Sequence, residues 1–252
     1  MDYIKKYNSW LENPYYDEDT KKELLDIRGN GKEIEDRFYR DLEFGTGGLR
    51  GIIGAGTNRI NRYTIRRASQ GLSNYIKKLG AASPSIAIAY DSRRCSDEFA
   101  KESACVFAVN GIKSYIFESL RPTPELSFAV RHLNCDAGIV ITASHNPKEY
   151  NGYKVYGKDG GQMPPDASNA VLKEVNLISD LTAIQVMDFS KAKAEGLIHI
   201  VGSEIDDAYI QSLKSLKITE PEQKIKDKCG IVYTPLHGSG NIPVRRILKE
   251  TG

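Results

Sequence analysis

Apolar residues in the first forty positions recur three to four apart, and then the rhythm changes. In DEDTKKELLDI (17–27) and KEIEDRFYRDL (32–42) this spacing predicts two helices parted by a Gly29-Asn30-Gly31 turn, within a helical extension covering residues 1–42. From residue 43 short apolar runs alternate with amphipathic ones. GLRGIIG (48–54), SIAIAYD (85–91), IKSYIFE (112–118) and CDAGIVIT (135–142) read as strands, the last almost wholly apolar, as a central strand covered on both faces would be. RYTIRRASQGLSNYIKKLG (62–80) reads as an amphipathic helix closed by Gly80. Ser96 is the expected cap of a helix running to Asn110, and Thr123 the expected cap of one opening at Pro124 and reaching His132.

This alternation predicts an α/β fold, a mixed sheet layered between helices, over residues 43–202. A further helix is expected at 166–178. A second unit starts at 203, with a helix on SEIDDAYIQSLKSL, a strand CGIVYTP (229–235), an HGSG turn and a helix IPVRRILKE (242–250). One strand and two helices cannot complete a sheet core. Residues 203–252 are therefore expected to be the start of an incomplete second α/β domain, and the chain a fragment of a longer parent whose remainder is its partner.

Composition narrows the classes. With 252 residues, 40% hydrophobic and 27% charged, the chain has the make-up of a globular protein. A net charge of +2 offers no global field for nucleic acid or an anionic membrane, so neither is expected as a partner and any basic site is local. The charged N-terminus lacks the apolar core of a secretory signal, and no apolar run could span a bilayer, so a cytoplasmic location is expected. Cys95, Cys105, Cys135 and Cys229 show no CxxC pair or histidine at ligand spacing, which predicts buried free thiols. Tyr3, Tyr7, Tyr15 and Tyr16 read as packing surface.

The candidate chemistry follows the apolar strand. Thr142-Ala143-Ser144-His145-Asn146-Pro147 is a sharply turned polar loop, and Asn151-Gly152-Tyr153-Lys154 comes soon after. Open α/β sheets bind ligands at the C-terminal ends of their strands. A serine there needs a base or a cation to become a nucleophile, and His145 and Lys154 are at hand. Taken as a serine in a loop and no more, this would be a plain polar turn.

The full string decides otherwise, because TASHNP followed by NGYK resembles the phosphoserine loop of the α-D-phosphohexomutases, the phosphoglucomutases and phosphomannomutases. FGTGGLRG (44–51) resembles that family's early phosphate-contacting loop, and YTPLHGSG (233–240) the opening of its second domain. The helical extension in front resembles the phosphoglucomutase-2-like branch. The resemblance implies an intramolecular phosphotransferase, an isomerase interconverting sugar 1-phosphate and 6-phosphate, with glucose ahead of mannose or pentose, through a phosphoserine enzyme and a sugar bisphosphate that also serves as activator. It implies Ser144 as phosphate carrier, His145 and Lys154 as acid/base or charge-stabilising groups, and Arg50, Thr46 and Asn146 as phosphate-binding residues. It also implies Mg²⁺, held by the Ser144 phosphate and by an Asp-rich DGDxDR loop that this chain lacks, so the chain alone is expected to be inactive. Asp91-Ser92-Arg93-Arg94 resembles the family's D-x-R turn and reads as a salt-bridged structural turn, and His237 as a structural turn histidine. Two rivals stay open: a serine phosphatase or esterase on Ser144, weakened by the absence of GxSxG, and a non-enzymatic phosphosugar-binding module.

Overall fold

A computed structural model describes residues 2–45, 47–218 and 230–251. Its elements in chain order are α1 (Asp2–Glu12), α2 (Glu18–Asp26), α3 (Gly31–Phe38), β1 (Phe44–Gly45), β2 (Gly48–Ile52), α4 (Arg62–Lys78), β3 (Ser85–Tyr90) and α5 (Ser96–Val109). Then come β4 (Lys113–Phe117), α6 (Thr123–His132), β5 (Ala137–Ile141), β6 (Tyr150–Gly157), α7 (Pro165–Asn176), α8 (Phe189–Ala194), β7 (Ile198–Val201), α9 (Ser203–Ser215) and α10 (Asn241–Thr251).

The strands form one mixed sheet in the order β1-β2-β6-β5-β3-β4-β7. β5, β3, β4 and β7 run parallel, while β6 is antiparallel to both β5 and β2. The expected α/β fold with a mixed sheet between helices is what forms. Strand alternation sorts the two faces. Ile86, Ile88 and Tyr90 of β3 join Ile139 and Ile141 of β5 under α4, α5 and α7. Ala87 and Ala89 face the other way, where small side chains let α6 pack closely through Leu126, Ala129 and Val130. All five residues of β5 are buried, so the loop after it hangs from a rigid strand.

The N-terminal helices have a core of their own. Tyr7, Trp10, Tyr16, Leu24 and Phe38 are buried with Tyr63 of α4, Trp10 stacking on Tyr16 at 4.2 Å and meeting Tyr63 edge-on at 5.4 Å. The tyrosines Tyr7, Tyr15 and Tyr16 are packing residues as expected. Asp17 caps α2 and Asn30 caps α3 through backbone N–H groups.

Several local expectations fail for reasons of tertiary contact. The helix predicted to Leu42 stops at Phe38 because residues beyond it bond across the chain: Leu42 N donates to Thr57 O at 2.7 Å, and Thr57 Oγ1 donates to Arg40 O at 2.7 Å. Ser96 does not cap α5; it is the first helical residue, and its hydroxyl donates to Asp91 Oδ1 at 2.8 Å. Nor does Thr123 cap α6, which begins after Pro122 with no side-chain cap. Residues 230–235 form no strand, and Ile231 and Val232 are exposed; Cys229 lies outside the described residues. Among the cysteines described, Cys105 and Cys135 are buried, Cys95 is half-buried, and all three are free thiols. Among the described residues, no helix is long and apolar enough to cross a membrane.

Candidate active site

The loop after β5 is built around a left-handed serine. Ser144 has φ +59°, a conformation unfavourable for a residue with a Cβ, so its surroundings must impose it. They do so from both sides. Ser144 N donates to Thr142 Oγ1 at 2.9 Å, and Thr142 Oγ1 donates to Asp91 Oδ2 at 2.6 Å. The other Asp91 oxygen accepts from Ser96 Oγ and from Arg93 N. Downstream, Asn146 N closes back on Ala143 O at 3.1 Å. The resulting turn leaves Ser144 and His145 exposed and Asn146 half-buried.

Sheet register delivers the cations. β2 pairs with β6 so that Gly48 faces Lys154 and Arg50 faces Gly152. Directly opposed residues share a face, so Arg50 and Lys154 are diagonal neighbours on one side of the sheet. Each long cation thus has a glycine opposite. At Gly152 a Cβ would lie 2.5 Å from Thr142 O and 2.9 Å from Leu49 O, and at Gly48 2.0 Å from Tyr153 O, so neither position admits a side chain.

Arg50 and Lys154 line one cavity of about 490 Å³ with Gly45, Gly47, Gly48, Thr142, Gln162 and the ion pair of Arg40 with Glu43. Arg50 Nη1 donates to Asn146 Oδ1 at 3.2 Å, tying the cavity to the serine loop across 96 residues of chain. Among the described residues neither Arg50 nor Lys154 has a carboxylate partner. A guanidinium and an ammonium left unneutralised beside an exposed hydroxyl are suited to an anion such as phosphate. A larger cavity, about 750 Å³, lies between α1, α4 and residues 176–182, but there Asp41 already holds Lys6 and Arg67. The smaller one, where Arg50 and Lys154 are free of carboxylates among the described residues, is the candidate site.

Of the residues expected from sequence, Ser144, His145 and Asn146 share one loop, Asn146 meets Arg50, and Lys154 joins Arg50 in the cavity. His145 has no hydrogen-bond partner among the described residues, and Thr46 lies outside them. Sequence reading missed Arg40 and Gln162 as lining residues, and it missed the strap through Thr142 and Asp91. The Asp91-Arg93 turn was visible; its hold on the serine loop was not, since that depends on β3 lying beside β5.

The described residues do not make a Mg²⁺ site. No three His, Cys, Asp or Glu side chains among them cluster as metal ligands, and Asp91, the carboxylate bonded into the loop, is committed to Thr142, Ser96 and Arg93 N.

Residues 41–181 match the family model described as phosphoglucomutase/phosphomannomutase, alpha/beta/alpha domain I. The chain belongs to the phosphoglucomutase/phosphomannomutase family. A phosphoglucomutase of Staphylococcus epidermidis RP62A is 37% identical over 237 residues, 94% of this chain and 42% of the relative. One from Staphylococcus haemolyticus JCSC1435 is 41% identical over 216 residues, 86% of this chain and 38% of the relative. The chain thus spans about two fifths of the length of these curated relatives. Among solved structures, a candidate phosphomannomutase from Thermus thermophilus superposes with TM-score 0.58 at 26% identity over 70% of this chain and 36% of that one. The open form of parafusin, a phosphoglucomutase from Paramecium, superposes at 0.56 with 20% identity over 71% of this chain and 36% of that one, a likeness of fold alone.

Proposed function

We propose that this family member serves a sugar-phosphate mutase that interconverts sugar 1-phosphate and 6-phosphate, glucose first among its substrates, with Ser144 as the residue that carries the phosphate. The observation that carries this reading is the exposed, left-handed Ser144 at the end of a buried strand, bonded through Asn146 to an Arg50 that shares a cavity with Lys154, which has no carboxylate partner among the described residues. The relatives called phosphoglucomutase support it.

In the reaction so read, the P–O bond of phosphorylated Ser144 breaks as a free sugar hydroxyl takes the phosphoryl group. The hydroxyl proton leaves to a base, with His145 the candidate while Lys154 carries its charge, and Lys154 the alternative only as a neutral amine. A sugar bisphosphate results, and after it turns over, its other phosphate returns to Ser144. There is no net hydrolysis. The transferring group is anionic throughout, so catalysis is positioning plus charge neutralisation, for which Arg50 and Lys154 are suited. Mg²⁺, the family's metal, would add charge neutralisation, but the described residues do not provide its carboxylates, and no step here is assigned to it.

The test is direct. The protein is incubated with glucose 1,6-bisphosphate and the site of phosphate attachment is read by mass spectrometry. Phosphate on Ser144, absent from Ser144→Ala, is expected, with mutase turnover in that variant falling by several orders of magnitude. Stoichiometric release of inorganic phosphate, or unchanged turnover in Ser144→Ala, would overturn the reading.

A further inference from the structure

Arg93 sits in the turn after β3, only partly accessible, and it reaches across to the loop after β5. Its guanidinium donates to four main-chain carbonyls of that loop. Nη2 bonds Ser144 O at 2.9 Å and Asn146 O at 2.6 Å, while Nη1 bonds Pro147 O at 2.8 Å and Tyr150 O at 3.0 Å. Its Nε lies 3.5 Å from Asp91 Oδ2, the carboxylate oxygen that accepts from Thr142. One planar fork therefore ties down every turn of the segment from Ser144 to Tyr150.

We propose that Arg93 is a positioning residue for Ser144: without touching the phosphate, it holds the loop in the one conformation that presents the Ser144 hydroxyl to its reacting group. This rests on the phosphoserine reading above. Three features of the geometry carry it. A positive-φ serine is intrinsically disfavoured and persists only where flanking bonds over-determine it; here Thr142 takes the Ser144 N–H and Arg93 takes the Ser144 carbonyl. Carbonyl oxygens turned toward a phosphoserine would repel it, and Arg93 gathers four of them onto a cation instead. Lastly, the donors are arranged so that lysine cannot replace them, since an ammonium offers three donors around one point rather than a planar fork.

The sequence alone places Arg93 in a salt-bridged turn. The Asp91 contact exists, at 3.5 Å, but the four carbonyl bonds are shorter and more numerous, so the side chain serves the loop more than its own turn.

The experiment compares the wild-type protein with Arg93→Lys and, as a neighbour control, Ser92→Ala. Two quantities are measured: the rate of Ser144 phosphorylation by glucose 1,6-bisphosphate, and amide hydrogen exchange across 142–150. Arg93→Lys should slow phosphorylation by about 10²-fold, as misplacement of a reacting group by about 1 Å does. Its apparent KM for the bisphosphate should move by less than about threefold, because no contact to the ligand is lost. Exchange in 144–150 should quicken while β3 and β5 stay as protected as in wild type, and Ser92→Ala should match wild type throughout. Phosphorylation of Arg93→Lys at the wild-type rate, or unchanged exchange in its loop, would overturn the proposal. A wild-type protein that takes no phosphate at all would instead sink the phosphoserine reading, and the exchange arm would still decide whether Arg93 holds the loop.

Discussion

Glu125 offers a test of the buried electrostatics that does not depend on activity. It lies in the first turn of α6, fully buried, and among the described residues no donor reaches either carboxylate oxygen, so only its protonated form can bond, by donating to Asp206. Arg121, also fully buried, stands with Nε 3.9 Å from Glu125 Oε1 but spends its fork on Asp206 of α9, at 2.7 and 2.8 Å. Glu118 on the preceding loop, Tyr209 of α9 and Arg246 of α10 complete the charged and titratable surroundings. Burial first, and then the adjacent Asp206 carboxylate, push the Glu125 carboxyl from 4.5 to about 8, with Arg121 and Arg246 only partly offsetting them. Asp206 moves the opposite way, below its ordinary value: burial raises it, but the hydrogen bonds from Arg121 and Glu125 and the charges of Arg121 and Arg246 together outweigh that burial.

The sign follows from proton binding. Below pH 4.5 Glu125 is protonated folded or unfolded. Between 4.5 and about 8 the folded protein keeps a proton that the unfolded chain releases, so stability falls as pH rises. Each pH unit in that window is worth about 1.4 kcal/mol at most. Water entering the site as the charge forms lowers this, so a loss of about 2 kcal/mol between pH 5 and pH 8 is expected. Glu125→Gln removes the titration while keeping shape and a donor for Asp206. Asp206 titrates below the window, so the difference between the two proteins isolates Glu125. Urea midpoints followed by circular dichroism at several pH values should show wild type losing about 2 kcal/mol relative to Glu125→Gln as pH rises. Parallel curves across the window would refute the reasoning, because they would mean that Glu125 is ionised in the fold at neutral pH.

Two further outcomes follow from packing. Gly152→Ala drives a Cβ against the Thr142 and Leu49 carbonyls, which are backbone and cannot swing aside. It should lower stability by about 1–3 kcal/mol in thermal melts and slow phosphorylation of Ser144, since β2, β5 and β6 must part; a melt like wild type would show that the register carrying Arg50 and Lys154 is less tight than drawn. Trp10→Ala empties the centre of the aromatic cluster joining α1 to α4 and should cost about 3–5 kcal/mol in urea unfolding; full retention of stability would make the N-terminal helices an appendage.

Much of this protein is legible without its structure. Most of the helices and strands follow from the period of apolar residues, because burial against a neighbouring layer imposes 3.6-residue spacing on a helix and alternation or full burial on a strand. The serine loop is legible for another reason: its residues are consecutive, so TASHNP holds its chemistry within six positions. Nothing in the local pattern reveals β7, a four-residue strand that exists because β4 offers it a parallel edge. The same limit applies to the caps. Ser96 and Thr123 are good capping residues by type, yet the Ser96 hydroxyl is claimed by Asp91 and Pro122 takes the capping position of α6. The site as an arrangement belongs to the tertiary structure. Arg50 and Lys154 share a face only through the register of β2 on β6, Arg93 reaches Ser144 only because β3 lies beside β5, and Glu125 is shifted because packing buries it and α9 then brings Asp206 against it. Such contacts join residues about fifty to a hundred positions apart, and the order of strands that brings them together is set by the packing of the whole sheet, which no local period encodes.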